Sequence, residues 1–130
     1  MTVTQVLEQL TRAVVTFEAE DGQLHLRALL DERPLTEETL ALCRAHKPEL
    51  LAYLDFAEKA DAVLLESTRR LGKAWPEGCQ LEDDPRWGRA ERELRDAYWS
   101  LDLSELQNAL ETREQLALEM FGAFKKERAR

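Results

Sequence analysis

VVTFEAEDGQLHLRA, residues 14–28, decides how this chain begins to fold. Val14–Glu20 and Gln23–Ala28 read as two strands around Asp21-Gly22, a dipeptide that favours a two-residue hairpin turn because both central positions need positive φ. The turn fixes the register: Glu20 faces Gln23, Ala19 faces Leu24, Glu18 faces His25, Phe17 faces Leu26, Thr16 faces Arg27 and Val15 faces Ala28. Sorted by side, Val15, Phe17, Ala19, Leu24, Leu26 and Ala28 share one face, and Thr16, Glu18, His25 and Arg27 share the other. A slip of one residue would destroy that separation.

Outward from the hairpin, the flanking segments read as helices. Thr2 with Gln5 forms a capping box ahead of Val3, Val6, Leu7 and Leu10, which recur at helical spacing, and that helix ends near Arg12–Ala13. Leu29–Pro34 is a connector. Thr36 caps a second helix whose first turn holds Glu37 and Glu38, with Leu40, Cys43 and Leu42 turned inward. Pro48 interrupts that helix and suits the first turn of a third. The third helix carries Leu50, Leu51, Leu54, Ala57, Ala60, Leu64, Thr68 and Leu71, and meets no breaker before about residue 72.

Residues 73–84 read as a loop containing Pro76, Gly78 and an accessible Cys79. Asp84-Pro85 starts a helix over about 85–100, with Trp87, Ala90, Leu94, Ala97, Tyr98 and Leu101 on one stripe. Asp102 with Glu105 opens the last helix, about 103–127, which shows Leu106, Leu110, Ala117, Phe121 and Phe124. So short a connection implies an antiparallel pair. The fold class expected is α+β, mainly α. An N-terminal αββαα module (1–54) with a β-hairpin is followed by a C-terminal antiparallel helical hairpin or bundle (55–130).

Three stretches carry a family resemblance: Val6-Leu7-Glu8-Gln9-Leu10, the turn and strand DGQLHLRA (21–28), and LTEETLALCRAHKPELLAYL (35–54). Together they resemble the N-terminal docking domain of TubC-type nonribosomal peptide synthetases, over residues 1–54. The resemblance implies an αββαα module, often dimeric, that captures a short C-terminal segment of an upstream enzyme along the hairpin. Residues 55–130 are not expected to be a synthetase domain. Residues 55–130 hold no His-His-x-x-x-Asp condensation motif.

Composition narrows the function classes. The formal charge is -8, from 18 basic and 26 acidic side chains. That balance argues against a general nucleic-acid binder, whose phosphate contacts need positive surface. Two cysteines without a CxxC pair make no disulfide scaffold, and no secretion signal or apolar run long enough for a bilayer appears. The expected setting is cytoplasmic, with reduced thiols and no membrane partner.

No catalytic residue, cofactor or metal ligand is expected. Cys43 and His46 lie three apart on one helix, but the inward position of Cys43 fits a small buried cysteine. There is no HExxH, GxxxxGK[ST] or GxGxxG. Trp87 is expected to anchor the C-terminal helices, and for Trp75, in a loop beside Pro76, and Trp99, at a helix end, core packing is favoured over a partly exposed interface role.

The hairpin itself points to a protein partner. A module of this size buries only about 60% of its chain surface. A two-stranded sheet is weak alone and leaves both edges with unpaired backbone groups that invite another strand. The expectation is a non-enzymatic docking adaptor that dimerises or captures a partner segment, with Thr16, Glu18, His25 and Arg27 supplying selectivity. A proline at His25 or Arg27 tests the edge provided that residue's N–H points outward. The alternative is an accessory factor in the DNA metabolism of a mobile element, contacting nucleic acid through Arg86, Arg89, Arg92, Lys125 and Lys126. Ordinary ion pairing accounts for those residues as well, because acids interleave with them.

Overall fold

The computed structural model describes residues 1–130. In chain order the elements are α1 (Val3–Arg12), β1 (Val15–Glu20), β2 (Gln23–Ala28), α2 (Glu37–Ala45), α3 (Lys47–Ala74), α4 (Pro85–Trp99) and α5 (Leu103–Arg128). The class is α+β, dominated by helices, with one antiparallel hairpin. The chain forms two compact units, Met1–Ala57 and Glu58–Arg130, and the division falls inside α3.

In the first unit, α1 starts on a complete capping box. The Gln5 N–H donates to the Thr2 hydroxyl at 3.2 Å, and the Thr2 N–H donates to the Gln5 side chain at 2.8 Å. Val6 and Leu10 on its inward face are buried. The helix stops as Val14 enters the left-handed region at φ 56, its N–H donating to the Thr11 carbonyl at 3.0 Å. Helices commonly end on such a residue, but the position favours glycine, and a β-branched side chain there is strained.

Asp21 and Gly22 both have positive φ (51 and 75), and all six expected pairings of the hairpin are present. Its apolar face lies on a core of Val6, Leu10, Val15, Cys43 and Leu50, with Phe17, Leu24 and Leu26 packed against it. Burial fades toward the turn, so Ala19 is exposed although it shares that face.

The Thr36 hydroxyl caps α2 by accepting the Thr39 N–H at 3.2 Å. The His46 carbonyl then accepts the Leu50 N–H at 3.0 Å and so opens α3. Pro48 falls within that first turn, where a missing N–H leaves no helical bond unmade.

The second unit has its own core of Leu71, Cys79, Leu81, Trp87, Ala117 and Phe121. Within α3 its buried positions are Ala60, Ser67 and Leu71. The expected stripe therefore shifts, because Thr68 is exposed and Leu64 only half-buried. Upstream, in the first unit, Phe56 rather than Ala57 is the buried residue.

The segment after α3 is a packed part of this core. The Trp75 indole N–H donates to the Cys79 carbonyl at 2.8 Å, and Cys79 and Leu81 are both buried. The expectation of an accessible Cys79 is thus overturned: the loop folds back on the aromatic cluster. Trp75 meets Trp87 edge-on at 6.1 Å and Phe121 at 5.0 Å.

The Asp84 carboxylate caps α4 by accepting the Arg86 N–H at 2.8 Å, with Pro85 in the first turn. Leu101, at φ 57, ends the helix, and the Asp102 carboxylate accepts the Ser104 and Glu105 N–H groups to start α5. The pair is antiparallel. Glu91 of α4 meets Arg113 of α5, while the earlier Trp87 packs with the later Ala117 and Phe121.

Arg113, only 9% exposed, fills the stripe between Leu110 and Ala117. Its guanidinium lies 5.6 Å from the Trp87 ring and donates to Glu91 at 3.3 Å. Arg70 bridges Glu114 at 2.7 Å and Glu66 at 3.3 Å. Burial pushes the Glu114 carboxyl up, but the Arg70 hydrogen bond, the nearby Ser67 hydroxyl and the charges of Arg70 and Arg113 outweigh it and hold it below the usual range. Ser67 itself is fully buried and makes no hydrogen bond of good geometry.

Two outcomes are expected. Val14→Gly relieves the left-handed strain, partly offset by greater freedom of the unfolded chain, and should raise stability by roughly 0.5–1 kcal/mol. A urea midpoint that falls instead would show that Val14 packing dominates. Glu114 has a depressed folded pKa, so its contribution is fully present above the unfolded value of about 4.3 and is lost as pH falls through the folded value. Stability measured against Glu114→Gln should therefore favour the native chain at pH 6, with the gap closing as pH drops below about 4.

Candidate docking edge

A two-residue hairpin closes on a hydrogen-bonded pair, and the pairs then alternate between bonded and non-bonded. At the far end the Leu29 N–H donates to the Val14 carbonyl at 3.0 Å, which agrees with that phase. In the pairs Glu20–Gln23, Glu18–His25 and Thr16–Arg27 the peptide groups therefore face across the ladder. The peptide groups of Leu24, Leu26 and Ala28 on β2, and of Val15, Phe17 and Ala19 on β1, point away from the hairpin. No third strand joins the sheet, and no backbone bond from elsewhere in the chain reaches these six residues.

This phase corrects the proline test at its root. The N–H groups of His25 and Arg27 point inward, so proline at either would damage the hairpin and leave the edge donors in place. Thr16, Glu18, His25 and Arg27 do share one exposed face, and His25 lies 3.8 Å from Glu20. They flank the edge and present side chains beside it.

The two edges differ. Val15 is buried and α1 packs against β1, whereas β2 borders an open groove of about 240 Å³. Gln23, Leu24 and Leu26 form one wall, and Leu40, Cys43 and Arg44 of α2 with Lys47 of α3 form the other. The Lys47 ammonium donates to the Gln23 side chain at 2.9 Å, tying the mouth together. Both charged residues on the groove are cations, in a chain of net charge -8.

Sequence reading missed this second wall. Leu40 and Cys43 were legible as inward-facing, but that they approach β2 closely enough to form a groove depends on tertiary packing. A larger groove of about 630 Å³ lies between α1 and α2, lined by Leu10, Ala13, Ala41 and Leu42 among polar residues including Arg12 and Glu38. It mixes both charge signs and borders no strand edge.

The other candidate residues are scattered or engaged. Burial pushes the Cys43 thiol up, and His46 faces Glu49 at 3.9 Å. Arg86 is held by Asp84 at 2.8 Å, and its hydrogen bonds hold the Asp84 carboxyl below the usual range. Arg89, Arg92, Lys125 and Lys126 are exposed, the last two in the final turn of α5. Exposed Glu93 and Asp96 alternate with the α4 arginines. No group of three or more His, Cys, Asp and Glu side chains is arranged to hold a metal ion, and no helix is long and apolar enough to cross a membrane.

Comparison of the chain with protein-family models, with curated proteins and with solved structures finds no match.

The strand phase predicts an alternating pattern of amide exchange in the full chain at high dilution. His25 and Arg27 should be protected, and Leu24 and Leu26 should exchange faster. The opposite alternation would place the open donors on the other set of residues.

Proposed function

We propose that the chain is a non-enzymatic docking adaptor whose N-terminal unit receives an added strand along β2. The observation that carries this reading is the row of outward peptide groups at Leu24, Leu26 and Ala28, the first two of which also line a groove shared with Leu40, Cys43 and the cations Arg44 and Lys47. Backbone pairing supplies affinity at about 0.5–1.5 kcal/mol per hydrogen bond. Side chains supply selection, because residues of an added strand alternate in direction. Those on the groove side meet Leu24, Leu26 and Leu40. Those on the other side meet His25 and Arg27, with Thr16 and Glu18 one strand further in.

The resemblance of residues 1–54 to TubC-type docking domains points the same way. On this reading the helices of the second unit are the body that docking serves, with room for a second contact. The setting we favour is cytoplasmic, in keeping with two free thiols that are both buried.

The test is to pan a displayed library of random short peptides against the full chain and against Leu26→Pro, with circular dichroism to verify that the variant stays folded. Proline at Leu26 removes an outward donor and no ladder bond. Enriched peptides should bind the variant at least about tenfold more weakly, the equivalent of roughly 1.4 kcal/mol. Equal binding to both proteins, or no enrichment at all, would sink the proposal.

A further inference from the structure

We propose that the outer face of α4 binds single-stranded nucleic acid, with Arg89, Arg92 and Arg95 on its phosphates and Trp99 against a base. This face is independent of the hairpin edge. Trp87, Ala90, Leu94 and Ala97 are buried and fix the inward side of α4. At 3.6 residues per turn, Arg92 lies opposite them, with Arg89 and Arg95 about 60° to either side. Gly88 and Trp99 fall within the same arc. The three arginines are exposed, and Trp99 is 42% exposed, edge-on to Tyr98.

These cations differ from their neighbours in how they are used. Arg70 pairs with Glu114, Arg86 with Asp84 and Arg113 with Glu91, and Arg128 donates to the Glu77 carbonyl. Arg89, Arg92 and Arg95 close no ion pair. Glu93 and Asp96 stand four residues beyond Arg89 and Arg92, the spacing at which surface pairs form on a helix, yet neither pair is made. Arg92 instead reaches back: its Nη1 lies 3.6 Å from where a Cβ on Gly88 would sit. No other part of the fold comes within 4 Å of that point, so packing does not require a glycine there. Glycine also disfavours helix relative to alanine. Its effect here is to leave bare backbone amid the arginines, where a ligand can lie close.

Charge and aromaticity select the ligand. In a chain of net charge -8, most of the surface repels a polyanion, and binding is confined to a face where cations outnumber acids. From Arg89 to Arg95 the helix rises about 9 Å, so the row reaches only a few phosphates. A duplex keeps its bases stacked on one another, whereas a single strand can turn one onto the exposed indole. An acidic peptide has no base to place there. Arg86, held by Asp84, and Lys125 and Lys126, in the last turn of α5, take no part.

Fluorescence anisotropy of a labelled, mixed-sequence DNA strand of about 12 nucleotides, titrated with the full chain at low salt, tests this. Log K should fall against log salt with a slope of about -2, the value for three phosphates of a single strand. Arg89→Gln, Arg92→Gln and Arg95→Gln combined should weaken binding at least about tenfold. The same loss of charge at Arg69, Lys73 and Lys126 should weaken it by less than about threefold. Gly88→Leu alters no charge and should weaken it while circular dichroism shows the helices intact. No binding at low salt would overturn the proposal. So would equal losses in the two triple variants, full binding by Gly88→Leu, or equal affinity for poly-glutamate or for duplex DNA.

Discussion

The left-handed turn at Asp21-Gly22 governs the first unit, because it sets the phase of the hairpin as well as its register. Register decides which side chains face the helices. Phase decides which peptide groups face the neighbouring strand and which face outward. The two settings are coupled in an informative way: the residues that bury apolar side chains are the ones whose backbone is left open. An added strand therefore meets backbone donors from residues whose side chains are already fixed by the core. That rigidity limits the entropy lost on docking.

Val14 shows the cost of arranging this. The chain must reverse from α1 into β1 within a residue or two, and it does so with a valine in a region that favours glycine. The strain is tolerated because Val15 and Leu10 on either side of the reversal are buried in the same core. The second unit solves its packing differently. Three aromatic rings, Trp75, Trp87 and Phe121, gather around the antiparallel helices, and the stripe of α5 includes an arginine. Arg113 reaches outward to Glu91 while its guanidinium covers Trp87, so a long charged side chain does part of the work of an apolar one.

Much of this was legible because it is decided locally. Thr2, Thr36, Asp84 and Asp102 cap the helices that their neighbours suggest, and Asp21-Gly22 fixes every pairing of the hairpin. The hairpin phase was also legible, since a two-residue turn closes on a bonded pair. The condition set on proline at His25 or Arg27, an outward N–H, is the part that fails, because in this phase an exposed side chain goes with an inward peptide group. What could not be read was tertiary approach. Cys79 looks accessible in a loop with Pro76 and Gly78 until the loop folds back on Trp75. Ser67 and Arg113 are polar residues at buried positions, where periodicity alone favours apolar ones. The groove exists only because Leu40, Arg44 and Lys47 come to rest beside β2.

Charge and backbone have different tasks at such an edge. The chain carries a net charge of -8, so its long-range field repels an acidic partner segment, and that repulsion is screened beyond about 8–10 Å in physiological salt. Attraction between a partner's carboxylate and Arg44 or Lys47 at a solvent-exposed site is worth at most about 1 kcal/mol per pair. Neither term can hold a partner by itself. On the docking reading proposed above, backbone pairing along Leu24, Leu26 and Ala28 has to supply the affinity. The cations would act instead on alignment: strand edges pair in several registers of similar backbone energy, and a carboxylate opposite Arg44 and Lys47 favours one of them.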